Sequence, residues 1–160
     1  MSEQVLQSIR KMLDERGIEY REVHHEQTFT SEQSAAARGE SIRVGGKALL
    51  LKVGDEFKLF VLSAALKLDS KAIRKHLGVR ASRFANKEEL AELTGLVPGC
   101  VPPFGEPILP FKLYVDESIT RNERIAFNAG SLTDSIIMST EDYVALAQPE
   151  IFRFASPADD

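Results

Sequence analysis

With 160 residues, one cysteine and a formal net charge of −4, the chain is long enough for one domain that buries about two-thirds of its unfolded surface. A single thiol excludes an internal disulfide framework, and the acidic balance argues against a protein that coats nucleic acid with its whole surface. No apolar run approaches about 18 residues and no basic-then-apolar leader opens the chain, so neither a membrane span nor a secretory signal is expected, and the expected location is cytoplasmic.

Val5, Leu6, Ile9, Met12 and Leu13 recur at helical spacing, and Gly17 closes that helix. Residues 18–24 then read as a strand. His24 and His25 would point to opposite faces of such a strand and cannot chelate one ion together; without another metal-ligand spacing, no metal or other cofactor is expected. Thr30 with Gln33 forms a capping-box pattern for a short Ala-rich helix that stops near Gly39. Gly45-Gly46-Lys47 precedes a strand, whereas a phosphate-binding loop must precede a helix. The strands over residues 48–53 and 57–63 flank Gly54-Asp55-Glu56 and read as a hairpin. Lys47 opens the more apolar of the two, so its ammonium sits at the rim of the core. It either snorkels into water or serves as a point charge for a phosphate or a developing oxyanion.

Between Lys67 and Lys87 lie seven basic residues against the single acid Asp69, a local balance of +6 that leaves −10 for the remainder. Lys71, Arg74 and Lys75 share one face of a helix that Asp69 caps and Gly78 ends, either a solvated face or the footprint of a polyanion. Asn86 with Glu89 starts a further helix, and Gly95 is its left-handed stop. The loop to Gly105 follows, stiffened by Pro98, Pro102 and Pro103, with Gly99 allowing close approach of main chain to a ligand. Cys100 reads as a small buried or half-buried thiol, since nothing identifies a base to activate it. Later strands are expected over residues 111–115, 125–128 and 136–138, with Thr140 capping a helix through Ala147. Residues 148–160 are expected to dock and then fray, giving one domain over residues 1–155 and an acidic tail over 156–160.

Four strings occur in a particular order and spacing: Thr30-Ser31-Glu32-Gln33-Ser34-Ala35-Ala36, Gly46-Lys47-Ala48-Leu49, the loop from Thr94-Gly95 to Gly105 with Gly99-Cys100-Val101-Pro102-Pro103 inside it, and Phe127-Asn128-Ala129-Gly130. Together they resemble the freestanding YbaK/ProX-type aminoacyl-tRNA deacylases, relatives of the editing domain inserted in bacterial prolyl-tRNA synthetases. The resemblance spans nearly the whole chain. It implies a compact α/β domain of the α+β type, with a mixed, twisted, partly barrel-like sheet and surrounding helices. It also implies an enzyme that hydrolyses the ester joining a wrong amino acid to tRNA. By that resemblance Lys47 holds the terminal adenosine or its phosphate, and Gly99 and Pro103 place the aminoacyl carbonyl beside water. Thr30, Cys100, Val101, Asn128, Gly130, Ser131, Asp134 and Ser135 are the expected substrate-binding positions, and Lys71, Arg74 and Lys75 the expected tRNA contacts. Mischarged aminoacyl-tRNA is the expected partner, an aminoacyl-tRNA synthetase a further one, and no membrane is involved.

Alanine-specific relatives carry Gly-x-x-x-His where this chain has Gly130-Ser131-Leu132-Thr133-Asp134, and often Asn where it has Ala48. These departures look most like the members that clear serine and threonine, with Ser131, Thr133, Asp134 or Ser135 expected to bond the substrate hydroxyl. An aminoacyl ester is already activated, so orientation, donors for the carbonyl oxygen and access for water suffice, with a ribose hydroxyl of the substrate assisting. Two other functions use the same fold: a tRNA- or nucleotide-binding module without turnover, and an interaction domain that docks a protein on the proline loop.

Overall fold

A computed structural model describes residues 2–158. Among them, helix α1 (Ser2–Glu15) buries Leu6, Ile9 and Leu13, the stripe expected from its spacing, and leads into β1 (Tyr20–His24). Helix α2 (Ser31–Arg38) carries the full capping box: the Thr30 hydroxyl accepts from the Gln33 amide while the Gln33 side chain accepts from the Thr30 amide. A one-turn 3-10 helix over Ile42–Val44 then delivers the chain to the hairpin β2 (Gly46–Val53) and β3 (Glu56–Ser63), whose turn uses Gly54 at φ 61°.

After β4 (Leu66–Leu68), helix α3 (Ser70–Leu77) is capped by Asp69 and stopped by Gly78. Strand β5 (Ser82–Phe84) and helix α4 (Lys87–Thr94), with the Asn86–Glu89 capping box and Gly95 in the left-handed region, lead into the proline loop. Strand β6 (Leu113–Asp116), short helix α5 (Glu117–Thr120), strands β7 (Arg124–Asn128) and β8 (Asp134–Ser139), helix α6 (Thr140–Ala147), and strands β9 (Glu150–Phe152) and β10 (Ala155–Pro157) complete the order.

The strands form three sheets: a mixed one in the order β5-β2-β3-β6-β9, an antiparallel one in the order β1-β8-β7, and the pair β10-β4. The hairpin is antiparallel, whereas β3 with β6 and β6 with β9 run parallel. One bridge, Gly45 with Ala126, joins the first sheet to the second. A Cβ at Gly46 would stand 2.6 Å from Ile125 Cδ1, and one at Gly45 3.0 Å from the Ala64 methyl. Only glycine lets the two sheets approach this closely. The larger core lies between them and takes in α1, α6 and the proline loop; a second core, with Phe60 stacked on Tyr114 at 5.0 Å, lies under α3.

Several element ends need correction. The strand expected over residues 18–24 begins at Tyr20, because the Ile18 amide bonds back to the Leu13 carbonyl. Strand β6 begins at Leu113 rather than residue 111, because Phe111 is turned into the core by a bond from its amide to the Leu109 carbonyl. The cap of α6 is Ser139, whose hydroxyl accepts from the Asp142 amide, while Thr140 is the first helical residue. Within the stretch expected to fray, Ser156 and Pro157 pair with Lys67 and Leu66; Asp159 and Asp160 lie outside the described residues.

Thr140 Oγ1 is buried and lacks a hydrogen-bond partner among the described residues. Thr140→Val replaces that hydroxyl with a methyl group of similar shape and removes its desolvation cost. The variant is expected to be more stable by about 1 kcal/mol, read as a higher urea midpoint at unchanged slope.

Candidate active site

A cavity of about 270 Å³ opens where α2, the start of β2, the proline loop and the end of β7 converge. Its walls include Thr28, Thr30, Ser34, Arg38, Lys47, Gly99, Val101 and Asn128, with Phe29 at the mouth. No Asp or Glu is among the lining residues. Lys47 reaches it as the second residue of β2, directly after the glycine pair that brings the two sheets together. Burial pulls its ammonium below the usual lysine value, and the field of Glu32 opposes that pull.

The wall that Gly99 and Asn128 form is held by a chain of hydrogen bonds. Asn128 Nδ2 donates to the Gly99 carbonyl at 2.7 Å, while Asn128 Oδ1 accepts from Arg38 Nη2 at 3.0 Å and from the Ser135 hydroxyl at 3.2 Å. Gly99 has φ 91°, a conformation suited to glycine, and its carbonyl is thereby fixed at the cavity wall. The amide of Gly130 donates to the Cys100 carbonyl at 3.0 Å, a second clasp between the proline loop and the β7–β8 turn.

Of the expected site residues, Lys47, Gly99, Thr30, Val101 and Asn128 meet at this cavity. The others stand behind it or apart. Pro103 is buried, and its carbonyl accepts from the Tyr143 hydroxyl. Cys100 is buried; burial pushes its thiol above the usual value against a weaker pull from its backbone bond near Val97. Gly130 acts through its amide. Ser131 and Thr133 both donate to Asp134 Oδ2, and His24 Nδ1 lies 2.8 Å from Asp134 Oδ1. Burial raises the Asp134 carboxyl, but the bonds from His24, Ser131 and Thr133 outweigh it and hold the group below its usual value. The side chains of this turn are thus bonded to one another, to His24 and, through Ser135, to His25, Arg38 and Asn128, and none of Ser131, Thr133, Asp134 and Ser135 lines the cavity.

Lys71 and Lys75 border a separate groove with His76, Phe152 and Arg153, and Arg74 turns aside to donate to Ser82 Oγ at 3.2 Å. The proline loop is buried from Cys100 to Gly105, whereas Val97, Pro98 and Gly99 before it are exposed. Among the described residues, no three His, Cys, Asp or Glu side chains are grouped to hold a metal ion, and no helix is long and apolar enough to cross a membrane.

Sequence reasoning missed Thr28, Phe29, Ser34 and Arg38. Ser34 and Arg38 are four residues apart on α2 and so share a face, a spacing visible in the sequence. A basic residue in a last helical turn ordinarily complements the helix dipole from the surface, so nothing marked Arg38 as buried.

The family model of the aminoacyl-tRNA editing domain matches residues 25–146, the span that supplies every wall of the cavity. The chain belongs to this family. This editing domain is 37% identical over 153 residues to the Multifunctional Ser/Thr-tRNA deacylase ProXp-y of Escherichia coli (strain K12), covering 92% of this chain and 90% of that protein. It is 33% identical over 100 residues to the proline–tRNA ligase of Shouchella clausii, covering 62% of this chain and 17% of that protein. Among solved structures, a candidate trans-editing enzyme for prolyl-tRNA synthetase superposes with a TM-score of 0.81 at 23% identity, covering 95% of this chain and 97% of that one. The α+β architecture of the editing domain is that of this solved structure.

The thiol of the folded editing domain is expected to react with a disulfide reagent at least about a hundredfold more slowly than a free cysteine, because it is both covered and held protonated. Absorbance of the released thiolate, measured with and without denaturant, checks this. Rapid labelling of the folded chain would return Cys100 to the reactive groups.

Proposed function

We propose that the protein deacylates mischarged aminoacyl-tRNA in trans, with seryl and threonyl esters as its main substrates, in the cytoplasm. The observation that carries this reading is the convergence of Lys47 and Gly99 on one small cavity with no acid among its lining residues. At about 270 Å³ the cavity lies just below the ~300–1,000 Å³ typical of ligand pockets, a size for an aminoacyl group and part of a ribose. The relatives' named activities support the same reading.

Hydrolysis needs water to attack the ester carbonyl, with the ribose oxygen leaving as a hydroxyl. Lys47 holds the phosphate or sugar of the terminal nucleotide, and Phe29, 77% exposed at the mouth, offers its ring for the base to stack on. The Cys100 amide is bonded to the Val97 carbonyl, so the amides of Gly99 and Val101 are the ones left to polarise the carbonyl. A ribose hydroxyl of the substrate relays the proton of the attacking water. No protein nucleophile takes part, in keeping with the covered thiol of Cys100.

The deciding experiment is incubation of the purified protein with seryl-, threonyl- and alanyl-tRNA. Ester loss above the spontaneous rate supports deacylation, and binding with the ester retained would instead favour a silent tRNA-binding module. Lys47→Ala is expected to lower kcat/KM at least about a hundredfold while leaving the free energy of urea unfolding within ~0.5 kcal/mol of the parent, since a strand-end lysine adds little to packing.

The charge of Lys47 also sets the pH profile. Its depressed pKa means that the ammonium is lost, and activity with it, as pH rises through a value below that of an ordinary lysine. Glu32→Gln removes the field that raises this pKa and is expected to move the alkaline limb to lower pH. A limb that stays in place would show that another group titrates.

The groove beside α3 is the proposed tRNA contact. Reversing Lys71, Arg74 and Lys75 to glutamate together is expected to weaken tRNA binding and to flatten the slope of log K against log salt by about one unit for each phosphate no longer neutralised. Unchanged affinity and slope would place the binding surface elsewhere. A synthetase that delivers mischarged tRNA is the further partner proposed, in line with the match to part of a proline–tRNA ligase.

A further inference from the structure

Arg38 is 7% exposed, lines the cavity, and forms no ion pair among the described residues. The nearby acid Glu40 is held by Arg21 and Arg124 instead. Two of the guanidinium nitrogens are engaged, Nε with Ser135 Oγ at 2.9 Å and Nη2 with Asn128 Oδ1 at 3.0 Å. The third, Nη1, has no partner among the described residues, yet it is not a sealed-off atom: Thr140 Oγ1 is the one such side-chain atom there. It lies beside Gly45, 3.5 Å from where a Cβ of that cavity-lining residue would stand. Ile42 and Ala64, which flank the same position, also line the cavity, so the cavity is the opening assigned to this nitrogen. Thr28 and Ser34, each 7% exposed and bonded hydroxyl to hydroxyl at 2.8 Å, complete a polar floor around it.

A buried donor that no protein group satisfies gains most from a ligand acceptor. Two cations, Lys47 and Arg38, with no lining carboxylate disfavour the α-ammonium of an aminoacyl group at the floor, which leaves the side chain to enter it. We infer that Arg38 reads the substrate's side-chain hydroxyl, with Nη1 donating to the hydroxyl oxygen of a bound seryl or threonyl group. This assignment rests on the deacylase reading above, and it moves hydroxyl selection from the turn of Ser131, Thr133 and Asp134 to the floor formed by α2. Arg38 also steadies Gly99 through Asn128, so a general loss of activity on mutation would not by itself support the assignment. The ratio of activities on seryl and alanyl esters does, because the two differ by one oxygen and use the same main-chain contacts.

The test compares kcat/KM on seryl- and alanyl-tRNA for the parent, Arg38→Met, Arg38→Lys and Asp134→Ala. The parent is expected to prefer the seryl ester by about tenfold or more. Arg38→Met should bring the ratio near one, Arg38→Lys should restore part of it, and Asp134→Ala should keep it. A parent ratio near one, or a ratio preserved in Arg38→Met as both rates fall, overturns the assignment. Should Arg38→Met fail to fold, the unaltered protein decides the matter with non-hydrolysable 3′-amide analogues of aminoacyl-adenosine. The seryl amide is then expected to bind about tenfold tighter than the 2-aminobutyryl amide, which has the same number of heavy atoms and no hydroxyl; equal binding overturns the assignment. Absence of turnover on every ester alongside selective amide binding would sink the deacylase reading and leave hydroxyl recognition standing.

Discussion

The close approach of β2 to β7 at Gly45 and Gly46 is the constraint on which the site depends. Two sheets packed face to face ordinarily stand about 10 Å apart, with side chains between them. Here a main-chain bridge joins Gly45 to Ala126, and the space that a side chain at Gly46 would need is filled by Ile125. This pinch brings the first residues of β2 up against the end of β7. Lys47 and Asn128, far apart in sequence, thereby come to line one cavity. A side chain at Gly46 would push the sheets apart at the point where the cavity closes, so the cost would fall on function as well as packing.

From that junction the order of the site propagates through buried polar groups. Arg38 ends α2, Asn128 ends β7 and Gly99 lies in the proline loop, and the three are tied in series by hydrogen bonds from side chain to side chain to main chain. Burial without a carboxylate pulls the Arg38 guanidinium down to about 10, a sign of how much solvation it has given up. The dipole at the C-terminal end of α2 offsets part of that cost, and the Ser135 and Asn128 oxygens offset more. Such a cation is tolerated where its remaining donor can meet water or a ligand, and Arg38 lines the cavity.

Local chemistry was the legible part. Capping residues at Thr30, Asp69 and Asn86, left-handed glycines at Gly39, Gly78 and Gly95, and the apolar stripe of α1 all act within a few residues, so they could be read directly. The hairpin was legible for the same reason. Strands β4, β5, β9 and β10, three residues each, were not, because their pairing comes from distant partners rather than from their own pattern. In the site, Lys47 stood out because it follows two glycines and precedes an apolar run. Arg38 did not, since burial of an arginine is decided by what packs over it. The bonding of the Ser131 to Ser135 stretch is hidden for the same reason: its hydroxyls look available in a sequence, and only the fold shows them bonded to Asp134, Arg38 and one another.

The wall of the cavity formed by the proline loop is fastened through its carbonyls, Gly99 to Asn128 and Cys100 to Gly130. The side chains of Cys100, Val101 and Phe104 add packing in the larger core. Those of Val97 and Pro98, by contrast, are exposed and carry none of the fastening. Bulk can therefore be added or trimmed at Val97 and Pro98 while the Gly99 carbonyl stays where it is. The loop separates the residues at the chamber's edge from the bonds that keep it aligned, so the size of the chamber can change without passing through a misaligned intermediate.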